Sequence, residues 1–178
     1  LKMNPPIRYE HDRETLWNHL TKGTIQCIAT DHAPHTLESK ALGFPDAPSG
    51  MPGVETSLAV MLTHAKNGRC SVEDVVRWMS TNVAECYNMI GKGRLEEGAD
   101  GDVVLVDMEN EHTVDDDLTW SRVGWNPFRG QALVGWAQVT IVAGVPVFER
   151  SQSSGQKGHL LVKPGGAGTP IVMTPWRF

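Results

Sequence analysis

The hydrophobic period of this chain changes once, near Gly91, and that change limits it to a helix-rich first part followed by a strand-rich second part. Before Gly91, apolar residues recur every three or four positions: Leu16, Trp17 and Leu20, then Val54, Leu58, Met61, Leu62 and Ala65, then Val75, Val76 and Met79, then a last stretch over 83–90. Asp12 stands where it can cap the first helix, and Gly23 where it can stop it. Ser71 with Asp74 reads as a capping box, and Gly91 ends the last helix. Beyond Gly91, β-branched runs take over at 102–107, 138–142 and 145–148, the last two joined through a turn at Ala143 and Gly144.

One apolar run before the switch fits neither half. Residues 25–30 are short and apolar, so they read as a buried strand with Cys27 inside it. Asp31 stands at its C-terminal end, and Pro34 makes 31–35 a loop by biasing Ala33 away from the helical region. Residues 36–52 contain Gly43, Pro45, Pro48, Gly50 and Pro52. They read as a long surface loop without regular structure, poorly ordered or protease-sensitive, the kind that often carries function.

Composition narrows the function classes. The 178 residues carry 16 Lys and Arg against 21 Asp and Glu, a net charge of −5, which rules out a strongly basic nucleic-acid binder. No apolar stretch approaches the roughly 18 residues of a membrane helix, so no membrane role is expected and a cytoplasmic location fits. The three cysteines, Cys27, Cys70 and Cys86, form no C-x-x-C pair, which predicts reduced thiols and neither a disulfide scaffold nor a zinc knuckle. Leu1 in place of Met, with Pro5 and Pro6 close behind, leads us to expect that the chain begins partway through a longer protein.

The residue with the strongest chemical signal is Asp31. A carboxylate at the C-terminal end of a barrel strand faces the active-site mouth, where it can bind a metal or move a proton. An Asp that bonds backbone amides after a strand leaves the same pattern, and the pattern alone leaves the two even. His32 and His35, close behind, tilt the balance toward chemistry. Elsewhere the signals are structural. His112 with Asp115, Asp116 and Asp117 reads as a solvated acidic turn ahead of a cation site. Gly91, Lys92 and Gly93 lack the spacing of a phosphate loop. Trp120, Trp125 and Trp136 read as core ahead of a stacking surface, and Cys27 as a buried thiol.

Three words stand in order along the first part: K-M-N-P-P-I-R over 2–8, I-A-T-D-H-A-P-H over 28–35 and S-G-M-P-G-V-E-T over 49–56. Together they resemble the C-terminal part of dihydroorotase, in the amidohydrolase superfamily. Arg94, Leu95, Gly98, the run 102–107, W-N-P-F-R-G over 125–130 and residues 141–144 extend the resemblance across 2–148. It implies an α/β fold in which 1–91 is the closing segment of a (β/α)8 TIM-like barrel and 92–150 a small β-sandwich-type domain. Residues 151–178 lie beyond the resemblance; their composition, a Ser/Gln/Gly run over 151–158 and then Gly165, Gly166 and Gly168, reads as a linker and C-terminal tail, anchored through Pro175, Trp176 and Phe178.

The resemblance also implies a chemistry: reversible hydrolysis of dihydroorotate to N-carbamoyl-L-aspartate, in pyrimidine biosynthesis. It makes Asp31 the last ligand of a zinc centre and the proton-transfer group, and makes Asn4, His35, Ser49 and Gly50 the contacts to substrate. The H-x-H pair, the carboxylated Lys, the two further His and the Arg that family members supply cannot be placed among these residues. A whole barrel also needs about 250 residues. The chain alone is therefore expected to be inactive and to retain no zinc, its first partner being the N-terminal barrel segment. A second copy or aspartate transcarbamoylase are the further partners the resemblance admits. Two alternatives stand beside it: a non-catalytic assembly module for aspartate transcarbamoylase, and another cyclic amidase of the allantoinase or dihydropyrimidinase kind.

Overall fold

The computed structural model describes residues 2–150, 157–163 and 165–173; residues 151–156 of the expected 151–158 linker and the anchors Pro175, Trp176 and Phe178 lie outside the described residues. Helix α1 runs over Glu10–Thr21. Asp12 does not precede it but sits in its first turn, where its carboxylate accepts from the backbone N–H of Tyr9 at 3.2 Å, so the helix opens earlier than a cap at Asp12 requires. Helix α2 is one turn, Leu37–Lys40, with Thr36 Oγ1 accepting from Ser39 N at 3.3 Å. It corrects the reading of 36–52 as wholly irregular: the Thr36 cap satisfies an N–H that a bare Gly/Pro-rich loop would leave open.

Helix α3, Ser57–Lys66, leaves Val54 outside and exposed. Helix α4, Val72–Val76, opens at the expected capping box, with Asp74 N donating to Ser71 Oγ at 3.1 Å and Ser71 N to Asp74 Oδ2 at 2.9 Å. The separate helix expected over 83–90 is instead continuous with it: a π-turn over Arg77–Thr81 leads into α5, Asn82–Cys86. No Gly or Pro interrupts this stretch, so the backbone widens without breaking. Met89, beyond α5, pairs with Met173 in an antiparallel bridge.

The strands are β1 (Val103–Asp107), β2 (His112–Thr113), β3 (Ala132–Leu133), β4 (Trp136–Val142), β5 (Val145–Glu149) and β6 (His159–Leu160). β1, β4, β5 and β6 form an antiparallel sheet in that order, and β2 pairs with β3 in a second, two-stranded sheet. Ala143 and Gly144, with φ of 50° and 80°, make the tight turn between β4 and β5, a geometry with positive φ at both positions that matches strand twist.

Helix α3 joins the two halves. Met61 and Leu62 pack with Leu20, Val75 and Trp78 in one core, with Val106 and Met108 from the β half against it. Ala59 packs with Val114 and Leu133 in the other. At the contact, Thr63 Oγ1 donates to Ala59 O at 2.7 Å and accepts from Val134 N at 3.0 Å. Gly135, with φ of 74°, lies so close that a Cβ there would stand 2.4 Å from Leu62 Cβ. Only glycine lets the β3 to β4 turn approach the helix this far.

The expected buried strand over 25–30 is not one. Among the described residues it pairs with no strand; its Ile28 N–H goes to Trp78 O at 3.1 Å, and Gln26 and Ala29 are exposed. A ladder needs a neighbouring strand about 4.8 Å away. Here the neighbour is the π-turn, which offers single carbonyls in place of a row. No described helix is long and apolar enough to cross a membrane.

Candidate functional site

The three words over 2–8, 28–35 and 49–56 meet in space, and the contacts that bring them together are mostly backbone. Gly50 N donates to Lys2 O at 3.1 Å, and Ala33 N donates to Met51 O at 3.2 Å. Gly50 is buried with φ of 120°, and a Cβ on it would lie 2.6 Å from Ala33 O. This glycine is what allows the third word to lie directly against the second.

Lys40 is the tie that sequence reasoning missed. Its ammonium donates to Lys2 O at 2.8 Å, Gly50 O at 2.9 Å and Pro48 O at 3.0 Å. An ammonium has three donors, and all three are spent on backbone carbonyls, two in a loop that has no ladder of its own and one in the first word. The sequence signal was faint, a single Lys at the start of a Gly/Pro-rich stretch. Lys2 Nζ adds a second clasp, to Ala47 O at 2.5 Å and Pro45 O at 2.7 Å. Two cations and the α2 turn thus tie the 36–52 loop to itself and to the first word.

Asp31 projects from this junction. Its φ of 45° puts it among three non-glycine residues with positive φ among those described, a conformation Asp tolerates at a cost of about 1 kcal/mol. It is exposed, as is Asn4, and neither side chain makes a hydrogen bond among the described residues. The reading of Asp31 as a backbone cap thus finds no bond to support it. His32 does take such a role: its Nδ1 accepts from Gly53 N at 3.1 Å and Val54 N at 3.3 Å, which leaves the ring proton on Nε2. His35 is half-buried, and its backbone carbonyl accepts from Trp125 Nε1 at 2.8 Å. Ser49, also half-buried, lies between Pro48 and Gly50, two residues whose carbonyls Lys40 holds.

Glu55, in the third word, works on the other side. Its carboxylate accepts from Trp120 N at 2.5 Å, Ser121 N at 3.1 Å and the Thr119 hydroxyl. It borders a cavity of about 170 Å³ walled by Trp120, Trp136, Phe148 and Arg150. Burial, partly offset by Glu55, pulls the Arg150 guanidinium below its ordinary value. Of the tryptophans expected in the core, Trp125 is buried, Trp136 half-buried and Trp120 exposed, with Lys157 Nζ 4.8 Å from its ring. Cys27, expected to be buried, is half-exposed.

The donor set does not make a metal centre. Among the described residues no three His, Cys, Asp or Glu side chains converge to hold an ion, and a catalytic zinc takes three protein ligands. Asp31 offers one carboxylate, and the His32 nitrogen that faces the fold is engaged with amides.

The sequence pattern of the amidohydrolase family matches residues 8–147. The dihydroorotase of Halalkalibacterium halodurans is 42% identical over 152 residues, 85% of this chain and 35% of the relative. That of Listeria welshimeri is 39% identical over 153 residues, 85% of this chain and 36% of the relative. That of Pyrococcus horikoshii is 39% identical over 168 residues, 94% of this chain and 39% of the relative. Among solved structures, the L-hydantoinase (dihydropyrimidinase) of Arthrobacter aurescens superposes with a TM-score of 0.79 at 34% identity, over 91% of this chain and 36% of that one. The dihydropyrimidinase of Brevibacillus agri gives 0.80 at 28% identity, over 89% and 35%. The chain spans little more than a third of the length of the relatives it matches. Its mixed α/β architecture is that of a segment of these amidohydrolases.

Proposed function

Because the chain belongs to the amidohydrolase family, we propose that it carries the Asp31 corner of a cyclic amidohydrolase that opens and closes the dihydroorotate ring, giving N-carbamoyl-L-aspartate. The observation that carries this reading is the junction at Gly50, which ties together the three words that bear Asn4, Asp31 with His35, and Ser49. The curated dihydroorotases share 39–42% of aligned residues with the chain, and the two dihydropyrimidinase structures 28–34%, which favours dihydroorotate over other cyclic amides.

In this reading Asp31 moves the proton. Its carboxylate, free of hydrogen bonds among the described residues and on an exposed residue of positive φ, takes the proton from the attacking water and returns it to the leaving ring nitrogen. Asn4 and His35 hold the substrate carboxylate and ring, and the backbone at Ser49 and Gly50 closes the other side, kept in place by Lys40. Zinc, whose part in such chemistry is to lower the pKa of bound water toward ~7, would take one oxygen from Asp31 and its other ligands from residues outside this chain. Residues 1–91 are then the closing barrel segment, 92–150 the small β domain and 151–178 the linker and tail. The setting is the cytoplasm, in pyrimidine biosynthesis. The remaining barrel segment is the first partner; a second copy or aspartate transcarbamoylase can follow it.

The test is metal content and turnover of the purified chain. Neither a stoichiometric zinc nor hydrolysis of dihydroorotate is expected, because one carboxylate cannot replace three ligands. A full zinc equivalent with turnover would overturn the reading that the site is completed from elsewhere.

A further inference from the structure

We propose that Cys27 and Cys86 form an oxidation site, a thiol pair that a hydroperoxide closes to a disulfide, locking the segment before Asp31 onto the end of α5. The two sulfurs lie 3.5 Å apart although 59 residues separate them in sequence. The Cys27 thiol donates to Cys86 Sγ, and the Cys86 thiol donates to Gln26 Oε1 at 3.5 Å. Both residues are half-buried, so a small oxidant can reach them.

The approach is fixed by backbone as well as by side chains. Asn82 Nδ2 donates to Gln26 O at 2.7 Å, and Ile28 N donates to Trp78 O at 3.1 Å, so Cys27 is pinned on both sides to the helical stretch that ends in Cys86. Closing the sulfurs from 3.5 Å to the bond length of about 2.05 Å draws these two segments together and asks for no separation of them. Cys70, also half-buried, takes part in neither contact.

The chemistry balances without further parts. The Cys86 sulfur attacks one peroxide oxygen; an S–O bond forms, the O–O bond breaks, and the other oxygen leaves as water or alcohol with the thiol proton. Cys27 then attacks the sulfenic sulfur; the S–S bond forms, the S–O bond breaks, and the hydroxyl leaves as water with the Cys27 proton. Two thiols are oxidised and one peroxide is reduced. Burial, and then the contact with Cys86, push the Cys27 thiol above its ordinary value, so it keeps its proton and donates it to Cys86 Sγ until the first step has taken place. The proposal does not depend on the substrate of the catalytic site.

The experiment treats the purified 178-residue chain with hydrogen peroxide, digests it without reductant and maps cross-linked peptides by mass spectrometry. One linkage, Cys27 to Cys86, is expected; free thiols should fall from three to one and return with dithiothreitol. The cross-link closes a long loop and should raise Tm by about 5–10 °C. Cys27→Ser and Cys86→Ser should abolish the linkage and the shift, and Cys70→Ser should keep both. Three thiols left after peroxide, over-oxidised Cys86 without a linkage, or a linkage through Cys70 would each overturn the proposal. If a serine variant does not fold, the peptide map of the unaltered chain decides.

Discussion

Gly50→Ala perturbs the junction at its tightest point. Gly50 has φ of 120°, outside the basin that L side chains use, which costs about 1–3 kcal/mol for alanine. The new Cβ would lie 2.6 Å from Ala33 O and 2.7 Å from Ala33 Cβ, both well inside van der Waals contact. Relief requires the second and third words to part, which stretches Ala33 N to Met51 O and Gly50 N to Lys2 O. Overpacking of this kind adds about 1–3 kcal/mol, and the two penalties share part of their relaxation, so about 3–4 kcal/mol in all is expected. Gly43→Ala is the control in the same loop: nothing stands within 4 Å of its Cβ, and the change should lie within about 1 kcal/mol of zero. Urea unfolding followed by tryptophan fluorescence measures both. A Gly50→Ala chain within 0.5 kcal/mol of wild type, by the ~0.5 kcal/mol scatter of surface substitutions, would refute the argument that close backbone approach holds the site together.

Lys40→Met keeps the apolar stem and removes three charge-assisted bonds to carbonyls; about 2–3 kcal/mol of stability should go. Chymotrypsin should then cut after the exposed Leu42, ahead of Gly43, faster than in wild type, and an unchanged cleavage rate would show that the ammonium is not the clasp. Asp107 gives a pH prediction: bonds from the Asn110 side chain, then from the backbone amides of Asn110 and Glu109, hold its carboxyl at about 2. The folded value is depressed, so the stabilisation is complete above the unfolded value of about 3.9 and is lost as pH falls from there toward 2. A carboxyl NMR titration of Asp107 with a midpoint near 4, or an Asp107→Asn chain with an unchanged acid limb, would contradict it.

Local rules carried far where the chain obeys a local period. The capping box at Ser71 and Asp74 and the Ala143 and Gly144 turn were legible because each is settled within four residues. The strand over 25–30 was misjudged because an apolar run states that it wants cover without saying whether a strand or a π-turn will give it. Lys40 and Glu55 escaped for a different reason: their partners are carbonyls and amides up to 38 and 66 residues away, and backbone groups leave no trace in side-chain identity. Cys27 and Cys86 escaped likewise, since a thiol pair is visible in sequence only when the spacing is short. The words that carry Asn4, Asp31, His35, Ser49 and Gly50 were legible as words, and their resemblance to one family put them at one site; the Gly50 and Lys40 contacts that join them were not legible.

Asp31→Asn in the proposed complete dihydroorotase is the most direct measurement of what this corner does. Asparagine keeps the shape but neither accepts the proton nor supplies an anionic oxygen, and loss of a general base costs ~10²- to 10⁴-fold in kcat. With zinc content determined for both proteins, steady-state hydrolysis of dihydroorotate should fall at least ~10²-fold. An Asp31→Asn enzyme that turns over within about tenfold of wild type would contradict the assignment of the proton transfer to Asp31.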